Sequence, residues 1–222
     1  KIASFEITDI PLIKKVAQTK KPIIISTGLS DLKEINLAYQ TAKKYGAKDI
    51  TLLYCVSSYP APLNSFNLNN ILILKKKFKC RIGFSDHSKD NTVAIAASAL
   101  GADVFEKHIA LKNQKKGLDI EFSLKGDELR EYVEAIKKTK TLLGSSNFIR
   151  KKNEIKNIKF RRSLYVAQTI NKGEKFTEHN LKSLRPKIGL DPIHIFQLLG
   201  KKSKRKLPYG LPITKTLLKK IS

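Results

Sequence analysis

Five short apolar runs each close on a small polar or ionisable side chain, and the closings recur at the length of one strand plus one helix. The runs are Lys1–Phe5, Pro22–Ser26, Ile50–Val56, Arg81–Ser85 and Asp103–His108. The side chains at their ends are Ser4, Ser26, Ser57, Ser85 and His108, spaced by 22, 31, 28 and 23 residues. Each run is too short for a helix and rich in Ile, Val, Leu or Phe. Between them lie amphipathic stretches, Asp31–Tyr45 and Asn91–Leu100, with Gly46 and Gly101 where helices end. Strand and helix in repeated alternation specify a parallel sheet covered by helices. A (β/α)8 TIM barrel gathers its strand ends into one ring at the C-terminal face, where active sites form. An open doubly wound sheet would spread them along a line.

Five strands do not close a barrel. The reading is therefore the C-terminal five strands of one, over residues 1–146, with three strands expected upstream of Lys1. The chain contains no Met, and Lys1-Ile2-Ala3-Ser4 reads as the interior of a strand. Leu124–Leu143 is expected as the last helix, stopped by Gly144. A lysine-rich polar linker is expected over 147–160. From 161 to 222 the pattern becomes that of a small separate domain. Ser163–Ile170 is strand-like, Asn171-Lys172-Gly173 is a turn, and Thr177–Lys182 is expected as a short helix with Thr177 as its N-cap.

Composition removes several classes. Hydrophobic residues make up 41% of the 222, so the chain is globular. No apolar run approaches the ~20 residues that span a bilayer. Cys55 and Cys80 have no metal-ligand spacing and suit a reducing compartment, the cytoplasm. The net charge of +25 invites a nucleic-acid or membrane surface, but the lysines are scattered and no aromatic stripe accompanies them. A solvated basic exterior that attracts anionic substrates is the better account, with no nucleic acid and no membrane as partner.

The chemistry concentrates in Gly83-Phe84-Ser85-Asp86-His87-Ser88 and Phe105-Glu106-Lys107-His108. Adjacent barrel strands would bring His87 and His108 together over the barrel mouth. Two neutral imidazoles with oxygen ligands suit Mn²⁺, Fe²⁺, Co²⁺ or Zn²⁺. The residues alone leave a second reading open, two unrelated histidines, one satisfied in a loop and one paired with Glu106. Ser4, Ser26, Ser57 and Ser85, with Lys1 and nearby backbone N–H groups, would suit a phosphate and a carboxylate. Each serine taken singly is equally a strand terminator. Tyr59, in the stiff Tyr59-Pro60-Ala61-Pro62 loop, either faces the cleft or belongs to a plain turn. Asp119 and Glu6 are acids near strand ends, placed either to orient substrate or water or to sit at the surface.

Longer stretches resemble the sialic acid synthase family in order. They are KIASFE (Lys1–Glu6), PIIISTG (Pro22–Gly28), YCVSSYPAP (Tyr54–Pro62), GFSDHS (Gly83–Ser88), EKH (Glu106–His108), GLDIEFS (Gly117–Ser123), RRSLYV (Arg161–Val166) and RPKIGLDP (Arg185–Pro192). The likeness is greatest to the pseudaminic acid branch. It implies a TIM barrel joined to a small antifreeze-like (SAF, β-clip) domain. It also implies condensation of phosphoenolpyruvate with an acetamido-sugar at a divalent metal, Mn²⁺ or Mg²⁺, with Co²⁺ as a further option. His87 and His108 match the family's metal ligands. Lys1, Ser4, Ser26, Ser57, Tyr59 and Ser85 match positions that hold phosphoenolpyruvate. Asp119 matches an acid that contacts sugar and water, and Glu6 stands with it as a second acid for the water step. Arg185 matches an arginine brought by a second subunit, which implies a domain-swapped homodimer. Leu118 departs from the family's Pro before Asp119.

Overall fold

The computed structural model describes residues 1–221. The chain divides into two compact units, Lys1–Ser145 and the residues from Ser146 onward.

The first unit is built on a curled four-stranded parallel sheet. Its strands are β1 (Ile23–Ser26), β2 (Ile50–Cys55), β3 (Arg81–Asp86) and β4 (Phe105–Lys107), hydrogen-bonded in chain order. Helices α1 (Ile10–Gln18), α2 (Leu32–Lys44), α3 (Asn70–Lys77), α4 (Thr92–Ala99) and α5 (Glu128–Leu143) fill out the unit. Asp31 fixes the start of α2, accepting from the N–H groups of Lys33 and Glu34 while the Glu34 carboxylate accepts from the Asp31 N–H. This reciprocal cap satisfies donors that the first helical turn leaves unpaired.

Strand side chains alternate between two faces. Ile23, Ile25, Leu52, Ile82 and Phe84 point to the helices and form one apolar core with Ile13, Ile35, Ala38, Ile71 and Val93. The alternate positions, Ser26, Cys55, Ser85 and Glu106, point to the barrel interior, and Cys55, Ser85 and Glu106 are in register across β2, β3 and β4.

Three details depart from the sequence reading. The first run does not form a full strand. Ile2 alone makes a parallel bridge, to Ile25, and the chain then turns through a 3-10 helix over Ser4–Glu6 that buries Ile7. Leu124–Lys125 is not helix but strand β6, pairing in parallel with β5 (Ile109–Ala110); α5 starts at Glu128, whose carboxylate accepts from the Lys125 N–H at 2.7 Å. In the second unit Thr177–Lys182 is not a helix. Thr177 and Asn180 close a turn on each other, each side chain accepting from the other's N–H, and Leu181–Leu184 is strand β8, antiparallel to β7 (Ser163–Val166).

The second unit has its own core of Leu164, Val166, Ile170, Phe176, Leu181, Leu198, Leu207, Ile213 and Ile221. The segment read as a linker carries a short helix α6 (Lys152–Ile155) and a 3-10 helix over Lys156–Phe160. It is tied into this unit by the Lys187 N–H donating to the Lys159 carbonyl at 2.9 Å. The last helix is α7 (Lys215–Ile221). No helix of the described residues is long and apolar enough to cross a membrane.

Candidate active site

The C-terminal ends of the parallel strands open onto a cleft of about 370 Å³. Its lining contains Lys1, Ser4, Ser26, Tyr59, Ser85, His87, His108 and Asp119. The sequence reading singled out each of these, and the fold brings them together from six stretches of chain. Ser57 stands beside them, its hydroxyl 4.0 Å from the Cys55 thiol. Glu6 does not line the cleft; it is exposed on the 3-10 turn. Arg185 belongs to the second unit, exposed just after β8.

The two imidazoles stand 5.4 Å apart between ring centres, edge to face. His87 is buried, and its Nδ1–H donates to the Val56 carbonyl at 2.8 Å. That bond fixes the tautomer and leaves Nε2 as a free lone pair, the usual arrangement of a metal-binding histidine. Burial lowers the His87 pKa, against the opposing effect of the Val56 bond, and so favours the neutral ring a cation needs. His108 lies with Nδ1 3.5 Å from an Asp119 carboxylate oxygen. Asp119 adopts a left-handed backbone (φ +62°), a conformation that aspartate tolerates better than most residues. Phe122 packs on both imidazoles, at 6.0 and 5.2 Å, and Tyr59 lies 4.4 Å from the His87 ring. With metal–nitrogen bonds of about 2.1 Å, rings at this separation are within reach of one ion. Among the described residues no group of three or more His, Cys, Asp or Glu could hold a metal. Two imidazoles lining one cleft are a donor pair whose chemistry fits a divalent ion, with its other positions left to water and substrate.

The other part of the cleft is lined by hydroxyls. Ser26 Oγ is buried and, among the described residues, has no hydrogen-bond partner, so its donor is unused within the fold. The Ser4 hydroxyl accepts from the Gly28 N–H at 3.2 Å and lies 3.0 Å from the Cys55 thiol. Gly28 is required here by space. A Cβ would fall 2.1 Å from Ser57 Oγ and 2.8 Å from both Cys55 Sγ and Ser4 Oγ.

Sequence reasoning missed one residue of the cleft. Glu106 accepts from Lys1 Nζ at 2.5 and 2.6 Å and from the Ser85 hydroxyl at 2.8 Å. Burial alone would raise its pKa; the Lys1 and Ser85 bonds outweigh burial and hold it below the usual value. The strand register of Ser85 against Glu106 is the signal that places it, and register is not visible in one-dimensional spacing.

A model of the NeuB family matches residues 1–148. The chain belongs to the NeuB family. A SAF domain follows over residues 161–219. This NeuB-family chain is 39% identical over 210 residues to a pseudaminic acid synthase of Campylobacter jejuni, covering 95% of the chain and 61% of that protein. It is 42% identical over 204 residues to an N,N'-diacetyllegionaminic acid synthase of the same species, covering 90% of the chain and again 61% of the relative. The chain thus spans about three fifths of the length of the curated relatives it matches. Among solved structures, an N-acetylneuraminic acid (sialic acid) synthetase from Leptospira borgpetersenii, crystallised with citrate, superposes with a TM-score of 0.66. That match is 34% identical and covers 71% of this chain and 55% of the other.

Proposed function

We propose that the protein carrying this chain is a pseudaminic acid synthase. It would condense phosphoenolpyruvate with 2,4-diacetamido-2,4,6-trideoxy-L-altrose and water, giving pseudaminic acid and phosphate. The reading is supported above all by one arrangement: two imidazoles and a set of serine hydroxyls, with a lysine, facing one cleft at the strand ends.

Each group has a task. Lys1 and the hydroxyls of Ser4, Ser26, Ser57 and Ser85 bind the phosphate and carboxylate of phosphoenolpyruvate, where charge-assisted bonds are strongest. Burial raises the Tyr59 pKa, so its hydroxyl stays protonated and donates. A divalent ion on His87 and His108, when bound, acts as a Lewis acid on the sugar's aldehyde oxygen. The enol carbon forms the new C–C bond with the aldehyde carbon, which leaves positive charge on C2 of the former phosphoenolpyruvate. Asp119 orients the water that adds to C2 and accepts its proton; Glu6, exposed on the 3-10 turn outside the cleft, is not placed for this step. The C2–O bond to phosphate then breaks as the C2 hydroxyl gives up its proton, leaving the ketone and inorganic phosphate, and a proton taken up by the former aldehyde oxygen makes it a hydroxyl of the product. Arg185, supplied by a second subunit in a homodimer, is assigned to the N-acyl group of the sugar.

Reaction in ¹⁸O-water tests this order of bond changes. The label is expected in the sugar acid and not in the phosphate; label in the phosphate overturns the route. Comparing the altrose substrate with N-acetylmannosamine and the legionaminic precursor tests the sugar. A higher kcat/KM with either of the other two reassigns the branch.

A further inference from the structure

On the opposite face of β3 and β4 from the cleft lies a charged cluster that the chemistry above does not use. Asp86 and Lys107 are register partners on these strands, each immediately before one of the two histidines. Both are deeply buried, with side-chain exposures of 0% and 4%. The Lys107 ammonium lies 3.5 Å from Asp86 Oδ1 and also donates to the Ser88 carbonyl. Asp86 Oδ1 accepts from the Ser88 N–H at 2.8 Å, and Oδ2 accepts from the hydroxyl of Tyr132, a buried residue of α5, at 3.0 Å. Ala94, Leu124, Phe105 and Ile136 pack around Tyr132, and Asp90 also acts on the Lys107 ammonium.

A buried ion pair is poor evidence of added stability, because desolvation of two charges offsets their attraction. Here the bonds run to positions that matter. Asp86 and Ser88 flank His87, and both are held by the residue that precedes His108.

We propose that the Asp86–Lys107–Tyr132 cluster is a positioning device that fixes His87 relative to His108 and thereby sets the protein's affinity for a divalent cation. The proposal rests on the reading of these histidines as the cation's ligands. Its logic is that of groups behind a metal site, which orient the ligands without touching the ion. The cluster differs in acting through the backbone on either side of the ligand rather than through the imidazole nitrogen, which is already bound to Val56.

The test is titration of Mn²⁺ into the full-length protein, following free Mn²⁺ by electron paramagnetic resonance. Tyr132→Phe removes one oxygen and keeps the ring, so the fold is retained; a thermal melt verifies this. It is expected to weaken Mn²⁺ binding about 10-fold, within the range for groups behind a metal site. Ile82→Val, which loosens packing on the same strand away from the cluster, is expected to leave affinity within about twofold of the parent. Folded Tyr132→Phe protein that binds within twofold of the parent overturns the proposal, as does equal weakening by Ile82→Val. The double variant His87→Ala/His108→Ala is expected to bind no Mn²⁺. If it binds as the parent does, the ligand assignment itself fails, a result distinct from failure of the positioning role.

Discussion

Gly83 offers the most demanding check on the packing beneath the site. It lies on β3 two residues before Ser85 and four before His87, on the face that looks into the barrel. A Cβ built there meets the Val104 carbonyl oxygen at 2.3 Å, Leu53 Cδ2 at 2.5 Å and Val104 Cβ at 2.9 Å. Leu53 is fully buried, and the closest contact is backbone, so neither neighbour can swing aside. The same Val104 carbonyl accepts from the Phe84 N–H at 2.7 Å, a bond that helps join β3 to β4. For Gly83→Ala, overpacking a core costs roughly 1–3 kcal/mol. Straining that backbone bond adds about 1 kcal/mol. The sum, about 2–4 kcal/mol, corresponds to a melting temperature lower by roughly 4–16 °C, at the usual 2–4 °C per kcal/mol for a chain of this size. Differential scanning calorimetry of the full-length protein reads this directly. Because the displaced strand carries His108, Mn²⁺ affinity is expected to fall along with stability. An alanine variant that melts within 1 °C of the parent would refute the reasoning, since it would show that β3 and β4 can separate without cost.

Further outcomes follow from the site. Glu106→Gln removes the carboxylate that occupies Lys1, so the Kd for phosphoenolpyruvate should fall several-fold in calorimetric titration; an unchanged or weaker Kd would mean that Lys1 does not serve the anion. Arg185→Ala should raise KM for the sugar more than for phosphoenolpyruvate in steady-state assays, and the reverse pattern would remove its assigned contact. The net lowering of the Glu106 pKa from 4.5 means that its ionised form contributes stability above that value and loses the contribution as pH falls through the folded-state value. Urea midpoints should therefore drop below about pH 4.5 more steeply in the parent than in Glu106→Gln, and equal slopes would show that the Lys1 and Ser85 bonds confer no linkage.

Much of this architecture is legible in the sequence because a parallel barrel ties a one-dimensional period to a three-dimensional ring. Polar residues at strand ends one β-α unit apart must share a face. That is why spacing alone puts Ser26, Ser85, His87 and His108 together. What stayed hidden depends on pairing. Glu106 sits within a strand and looked like a partner of His108; only the register with Ser85 turns it toward Lys1. The buried Lys107 reads as one more surface lysine among many, because nothing local announces that α5 will cover it with Tyr132. Thr177 and Asn180 looked like the start of a helix, since a turn and a cap use the same side-chain bonds for their first residues. The difference lies in Leu181–Leu184, which finds a strand partner in Ser163–Val166.

The two-sided use of β3 carries a last implication about tolerance to change. Its alternate residues serve separate trades, one set gripping helices and the other lining the cleft. Deleting a single residue at the foot of this strand would act like a slipped reading frame. His87 and Ser85 would be driven into hydrocarbon, and Phe84 and Asp86 would be thrust into the open mouth. A change of two residues would keep both faces in their places, whereas a change of one exchanges them.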